Sequence, residues 1–417
     1  MPMMPLNENL DDLLLDMATS IEPSETDRRV IDKRYRDLKT HLERPASALS
    51  KYLRDDESRI YAQGSISISA AIVSGDKDDR FDVDAMVEFE VPADWPEGKA
   101  LDVLFEALEG FPNAEKIKRN TRCVTVHFAS MHMDVTIMAP QQAPRPERVG
   151  EIFHSPDKGS SYRVPANPYG FSGWFRKSVF FQEGVGSFAE RVAKRRLESF
   201  VDRFQAPTTK ALDQDKLPPM IPPRLDAQQV VALKLMKRIL NVEYAKKKVR
   251  KPPSIYTTKK AADCGFESMG LTAQLEQLAR CIQNEMTNAI AIGNGPDERN
   301  PTHFADRLND RWPETQEDRQ VFKDVMGKVL RLLERAKKSD FSEIAKIMNE
   351  LFGESVSAFA VKKHLMRREG SNPAMVIKRV GTVIPAAVIS APAIAKDLRS
   401  IPDHRFHCEL KKKWQQE

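Results

Sequence analysis

The sequence predicts an α+β fold in which a sheet lobe comes first, a mostly helical lobe follows, and a cleft lies between them. Three observations carry this. Upstream of about residue 140, short runs alternate apolar and polar side chains or are rich in β-branched ones. From about Trp174 onward, apolar residues recur at spacings of three and four. The change of period happens once, with no internal repeat. The expected division is therefore 1–165 for an N-terminal helix plus the sheet core, 166–372 for the helical lobe closing the cleft, and 373–417 for an irregular tail.

Each element has its own signal. Ser24 and Asp27 form an S-x-x-D helix start, and Ile31, Tyr35, Leu38 and Leu42 follow at helical spacing. Pro45 interrupts, and Leu49 and Leu53 indicate a short continuation. Strand-like runs follow at 60–72, 81–89, 122–128 and 131–138, with a helix near 99–108 between the second and third. Helices are expected near 188–204, 227–242, 272–292, 317–336 and 342–352. The first two are separated by a loop holding Pro207, Pro218, Pro219, Pro222 and Pro223, long enough to be functional. The stretch after Pro373 is rich in Ala, Val, Ile and Pro without a period.

Composition removes several function classes. The 417 residues are 41% hydrophobic, enough for a large core. With 65 basic against 60 acidic residues the net charge is only +5, so the chain is not built to coat nucleic acid. Cys123, Cys264, Cys281 and Cys408 show no paired spacing and read as reduced thiols of a cytoplasmic protein, not as a disulfide or zinc framework. The first residues carry acids within their apolar stretch and do not read as a secretory signal. The longest uncharged apolar run, 383–395, is broken by Pro385 and Pro392 and falls short of the roughly 20 residues of a membrane span. No membrane partner is expected.

The chemistry concentrates in QGSISISAAIVSGDKDDRFDVDAMVEF. Gln63-Gly64-Ser65 follows a strand-like run. Gly64 lets the backbone approach a phosphate, and Ser65 offers an amide and a hydroxyl to its oxygens. Asp82 and Asp84 stand two apart at a strand start, so their carboxylates share one face. Side by side they repel unless a cation intervenes, and Mg²⁺ suits a site of one or two carboxylates plus phosphate oxygens. In the alternating run 131–137, Asp134 lies on a face with His132 and Thr136 and supplies a third acid. Asp76, Asp78 and Asp79 read as solvated loop acids. On the helix 227–242, apolar nearly all round, Lys234, Lys237 and Asn241 form a narrow polar strip that needs partners: triphosphate in the cleft, or carboxylates of the neighbouring lobe. Tyr169, Phe171 and Trp174 have a choice of stacking a purine or packing between lobes.

In this order, Gly64-Ser65, Asp82-x-Asp84 and Asp134 resemble the motifs of the polymerase-β-like nucleotidyltransferases. The long gap between Ser65 and Asp82 is similar to that of their cGAS/DncV-like (CD-NTase) branch. So are Asn167-Pro168-Tyr169 with Trp174-Phe175, Leu235-Met236-Lys237-Arg238, Lys251-Pro252-Pro253-Ser254, and Leu351-Phe352-Gly353-Glu354. The resemblance spans about residues 24–355. It implies a bilobed polymerase-β-like fold and an enzyme with Asp82, Asp84 and Asp134 as catalytic and metal-binding residues. Gln63, Gly64, Ser65, Lys234, Lys237 and Ser254 would be the nucleotide contacts. The cofactor would be Mg²⁺, with Mn²⁺ as a substitute. It further implies a monomer that uses nucleoside triphosphates to make a cyclic oligonucleotide second messenger, such as cyclic GMP–AMP, for an effector in antiphage defence. The stretch 234–260 holds ten basic residues and one acid, Glu243, but no Cys/His cluster accompanies it, so activation by nucleic acid is not expected. The competing functions are a template-independent RNA-tailing or linear oligonucleotide synthase and a non-catalytic nucleotide-binding scaffold.

Overall fold

A computed structural model describes residues 6–53, 59–73, 81–141, 148–203 and 220–368. The acids of the 76–79 loop, most of the proline-rich loop and the tail lie outside the described residues.

The sheet lobe is built on seven strands: β1 (Arg59–Gln63), β2 (Phe81–Glu88), β3 (Lys116–Arg119), β4 (Val124–His127), β5 (Met131–Pro140), β6 (Gly150–His154) and β7 (Tyr162–Ala166). Their order is β1-β2-β5-β4-β3, with β6 added to the far end of β5 and β7 to β6. Only β2 and β5 run parallel, which puts the start of one beside the start of the other. Helix α2 (Glu25–Glu43) begins at the expected capping box: the Ser24 amide donates to Asp27 Oδ2 at 2.7 Å and the Asp27 amide to Ser24 Oγ at 3.1 Å. It buries Ile31, Tyr35, Leu38 and Leu42 in one core with α4 (Glu97–Leu108) and the sheet.

The strand expected over 60–72 stops at Gln63. Gly64 takes φ +60° and turns the chain into the one-turn helix α3 (Gly64–Ser67); alternating Ile and Ser had imitated a strand. Residues 45–53 form turns, not a helical continuation, although Leu49 and Leu53 are buried. Strands β3, β6 and β7 were not expected; β3, Lys-Ile-Lys-Arg, holds a single apolar residue, and β7 contains Pro165.

The second core belongs to α5 (Pro168–Ser178), α6 (Phe188–Arg203), α7 (Gln228–Tyr244), α8 (Ser254–Asp263), α9 (Leu271–Ala291), α10 (Gln316–Ala336), α11 (Phe341–Phe352) and α12 (Glu354–Arg368), with a hairpin of β8 (Arg299–Asn300) and β9 (His303–Arg307) between α9 and α10. Helix α7 runs through its middle, buried almost all round as its composition predicts. Helix α1 (Leu6–Ser20) also lies in this core, against α12, α6, α7 and α9. By packing, residues 6–20 thus go with the helical lobe and not with the sheet, contrary to the expected division at 165. The reason lies in distant partners for the acids of α1. Asp11 accepts from the Thr272 amide (2.8 Å) at the start of α9, and Asp16 accepts from both terminal nitrogens of Arg367 in α12 (2.7 and 2.8 Å). Among the described residues no helix is long and apolar enough to cross a membrane, and Cys123, Cys264 and Cys281 are free thiols.

Candidate active site

On β2 the side chains of Val83, Ala85 and Val87 are buried in the sheet-lobe core, and Asp82 and Asp84 take the opposite face. Met133, Val135 and Ile137 alternate in the same way on β5, leaving His132, Asp134 and Thr136 on the cleft side. Register then aligns the chemistry. Gln63 pairs with Asp84, Asp84 with Asp134, and Asp134 with Thr125, so four residues form one row across β1, β2, β5 and β4. Asp82 pairs with His132 one step along. The Asp84 backbone is fastened from below, where the buried Tyr35 hydroxyl donates to its carbonyl at 2.7 Å.

Gly64 is required at this point. A Cβ there would fall 2.0 Å from Asp84 Oδ2, at a φ of +60° that side chains resist. Gly64→Ala is expected to push the loop off Asp84 and lower turnover by about 100-fold, the scale of an ångström misplacement in a reacting site. Steady-state kinetics beside a circular dichroism melt checks it, and an active Ala variant would deny that the close approach matters. The loop is also held from the helical lobe. Lys237 Nζ donates to the Ala70 carbonyl at 2.8 Å, and Ser67 Oγ shares a 2.7 Å hydrogen bond with Ser172 Oγ of α5. Helix α5 itself starts on Asn167, whose Oδ1 accepts from the Gly170 amide at 2.8 Å.

A cleft of about 420 Å³ joins these groups. Asp82, Asp84, Asp134, Gln63, Gly64, Ser65, Lys237 and Ser254 all line it. Lys234 does not. It is 2% exposed and its Nζ lies 2.7 Å from Glu22 Oε1, which removes it as a phosphate contact. Its position, about 60° around the helix from Lys237 and one turn earlier, aims it at the junction of α1 and α2. There Glu22 also accepts from Arg196 Nε at 2.6 Å. Burial alone would raise the Glu22 carboxyl, but Lys234 and Arg196 together hold it well below the usual carboxylate range. Ser254 is the first residue of α8, after Pro253 at the cap position.

The charges are out of balance. Burial, then the neighbouring Asp134 and Asp82, push the Asp84 carboxyl up to about 7. Asp82 is raised by burial and Asp134 as well. Burial lowers Lys237 to about 8 against the pull of Asp84. A divalent cation fits this surplus of negative charge. Among the described residues no three acid, histidine or cysteine side chains close into a ready cage. Mg²⁺ needs no such cage, since it keeps waters and takes phosphate oxygens.

The polar cleft residues that escaped the sequence reading as site candidates are Ser172, Lys251 and Thr258. Lys251 Nζ donates to Asn241 Oδ1 at 2.8 Å, so the polar strip of α7 continues onto the following loop. The Lys-Pro-Pro-Ser run was the signal for Lys251; nothing local marked Ser172 or Thr258. Of the aromatic trio, Phe171 lines the cleft and packs on Trp174 (ring centroids 5.5 Å), whereas Tyr169 packs on Tyr61 (5.6 Å).

Residues 4–178 match the model of the Second Messenger Oligonucleotide or Dinucleotide Synthetase (SMODS) domain. The chain is 30% identical over 397 residues to the cyclic dinucleotide synthase CdnG of Bradyrhizobium diazoefficiens, covering 92% of this chain and 90% of that protein. The structure of that organism's CD-NTase CdnG in complex with GTP superposes with a TM-score of 0.72, covering 85% of this chain and 98% of the other. CdnC of Escherichia coli MS115-1, solved with ATP, shares the fold at 13% identity and a TM-score of 0.51, covering 82% and 97%.

Proposed function

This chain belongs to the cGAS/DncV-like nucleotidyltransferases, the CD-NTase family of cyclic dinucleotide synthases, and on that footing we propose that it joins nucleoside triphosphates into a purine-containing cyclic dinucleotide, such as cyclic GMP–AMP. The observation that carries the proposal is the row Gln63–Asp84–Asp134, with Asp82 beside it, facing Lys237 across one cleft. GTP in the complex of the Bradyrhizobium relative favours a guanine nucleotide among the substrates.

In this reading the Gly64-Ser65 turn and Lys237 hold the triphosphate, and Ser254 contacts the nucleotide from α8. Asp82, Asp84 and Asp134 hold Mg²⁺ or Mn²⁺, which when bound neutralises charge developing on the phosphates. A ribose hydroxyl of the acceptor attacks the α-phosphorus of the donor, its proton passes to Asp134 or on to water, and pyrophosphate leaves. The linear dinucleotide, which keeps one 5′-triphosphate, then turns over. Its free ribose hydroxyl attacks the α-phosphorus of that triphosphate, the proton leaves by the same route, and a second pyrophosphate departs as the ring closes. The enzyme acts as a cytoplasmic monomer, and its product switches on an effector in antiphage defence.

Incubation with labelled ATP, GTP, CTP and UTP plus Mg²⁺, followed by phosphatase, tests this. A short phosphatase-resistant product is expected. A ladder of long products would replace the cyclase by a tailing enzyme, and intact triphosphates would leave a binding scaffold or an enzyme lacking its activator.

The charges also set a pH profile. Asp84 must be ionised to take a cation, so kcat/KM rises as pH climbs through about 7. Lys237 must be protonated to hold triphosphate, so the rate falls again above about 8. The acid limb should move to lower pH as Mg²⁺ is raised, because cation and proton compete for one carboxylate. An acid limb that ignores Mg²⁺ would count against Asp84 as a ligand.

A further inference from the structure

Asp134 sits at the end of a hydrogen-bond chain that begins outside the cleft lining. Asn120 occupies the turn between β3 and β4, where its amide donates to the Cys123 carbonyl at 2.8 Å. Its Nδ2 donates to Thr125 Oγ1 at 2.6 Å, and Thr125 Oγ1 donates in turn to Asp134 Oδ1. Thr125 is 7% exposed and stands directly opposite Asp134 in the β4–β5 register.

The polarity of this chain is set by chemistry. A side-chain NH₂ only donates, so Asn120 occupies a lone pair of the threonine oxygen. A hydroxyl has one proton, and a carboxylate only accepts, so that proton must point at Asp134. The β-branch of threonine restricts χ1 and makes the hydroxyl a fixed support. On the other side of Asp134 stands Asp84, in register on the parallel strand. Two neighbouring carboxylates repel and would rotate apart. A donor tied to one oxygen of Asp134 opposes that rotation, and donation passed along a chain strengthens each bond in it.

We infer that Thr125, itself set by Asn120, is a positioning residue that orients Asp134 for cation ligation and for activation of the attacking hydroxyl. This rests on the reading of Asp134 as a ligand and catalytic group. Residues that hold metal ligands by hydrogen bonds carry effects of about 10- to 100-fold on metal affinity or activity, and Thr125 falls in that class.

The test compares Thr125→Val, which keeps the branched shape and loses the donor, with Thr125→Ser, Asn120→Ala and Asp134→Asn. Mn²⁺ affinity is measured without nucleotide by electron paramagnetic resonance, and kcat and KM are measured separately. Thr125→Val is expected to weaken Mn²⁺ binding and to lower kcat, each by about 10- to 100-fold, with KM for the triphosphate little changed. Thr125→Ser, which keeps the donor on a freer χ1, recovers most of both, and Asn120→Ala falls between. Wild-type kcat and Mn²⁺ affinity in Thr125→Val, with Asp134→Asn inactive, would overturn the role of Thr125 alone. An active Asp134→Asn would instead remove the catalytic reading on which it rests. Should Thr125→Val melt early, Asn120→Ala with a native melting temperature decides: a loss of Mn²⁺ affinity supports the relay, and none refutes it.

Discussion

Asp84→Asn is expected to abolish product, with a fall in turnover of about 1000-fold or more, while making the metal-free protein harder to melt at pH 8. The first effect follows, on the proposed metal site, from removing a charge that would hold a cation, worth several kcal/mol of transition-state stabilisation, and about 4 kcal/mol is a factor of 1000. The second follows from the sign of the Asp84 shift. Its folded carboxyl is raised to about 7 by burial and by Asp134 and Asp82. A raised carboxyl adds stability that is present below the unfolded value near 4 and is lost as pH climbs through 7. At pH 8 the ionised group therefore works against the fold, and the neutral amide does not. Thermal melts of both proteins at pH 5 and pH 8, with and without Mg²⁺, check this. The gap should open at pH 8 and shrink when Mg²⁺ is added to the wild type. A variant that melts lower at pH 8 in the absence of Mg²⁺ would show that Asp84 is a structural acid.

Glu22→Gln should give the largest loss of stability, about 3–5 kcal/mol, the usual cost of removing one member of a buried ion pair. Lys234 keeps its charge beside an amide, at a site where both side chains are almost fully covered. Arg196 loses one of its two carboxylates and keeps Asp226, at 2.7 Å. Glu22→Gln with Lys234→Met should recover much of the loss, because an apolar replacement leaves no stranded charge. The pH sign is opposite to that of Asp84. The depressed Glu22 carboxyl stabilises the fold above the ordinary carboxylate range, and the contribution is lost as pH falls through its folded value. The wild type should therefore lose more stability on acidification than the double variant. Chemical denaturation at neutral and acid pH measures both effects, and a double variant no more stable than Glu22→Gln would contradict the ion-pair account.

The contrast between these two acids marks what was legible from residues alone. Asp82, Asp84 and Asp134 stood out because alternation along a strand assigns faces without knowledge of the rest of the chain. Ser24 and Asp27 stood out because a capping box is complete within four residues. Lys234 and Lys237 looked alike on one helix, and only a partner 212 residues away separates them. Thr125 lay in a recognised strand, but its pairing with Asp134 is a matter of register, which no local pattern supplies. The place of helix α1 in the helical lobe was hidden for the same reason, since its acids are satisfied by groups at Thr272 and Arg367. Local chemistry was readable, and long-range partnership was not.

The grip of Asp16 on Arg367 has a consequence for biosynthesis. Its two ends are 351 residues apart, so the face of α1 that packs on α12 stays uncovered until α12 has emerged from the ribosome, whereas contacts with α6, α7 and α9 can form earlier. The strands between residues 59 and 166 meet partners much nearer in the chain and can assemble while synthesis continues. A product truncated before α12 would thus carry a formed sheet beside a first helix with one apolar face left open, a surface prone to aggregation.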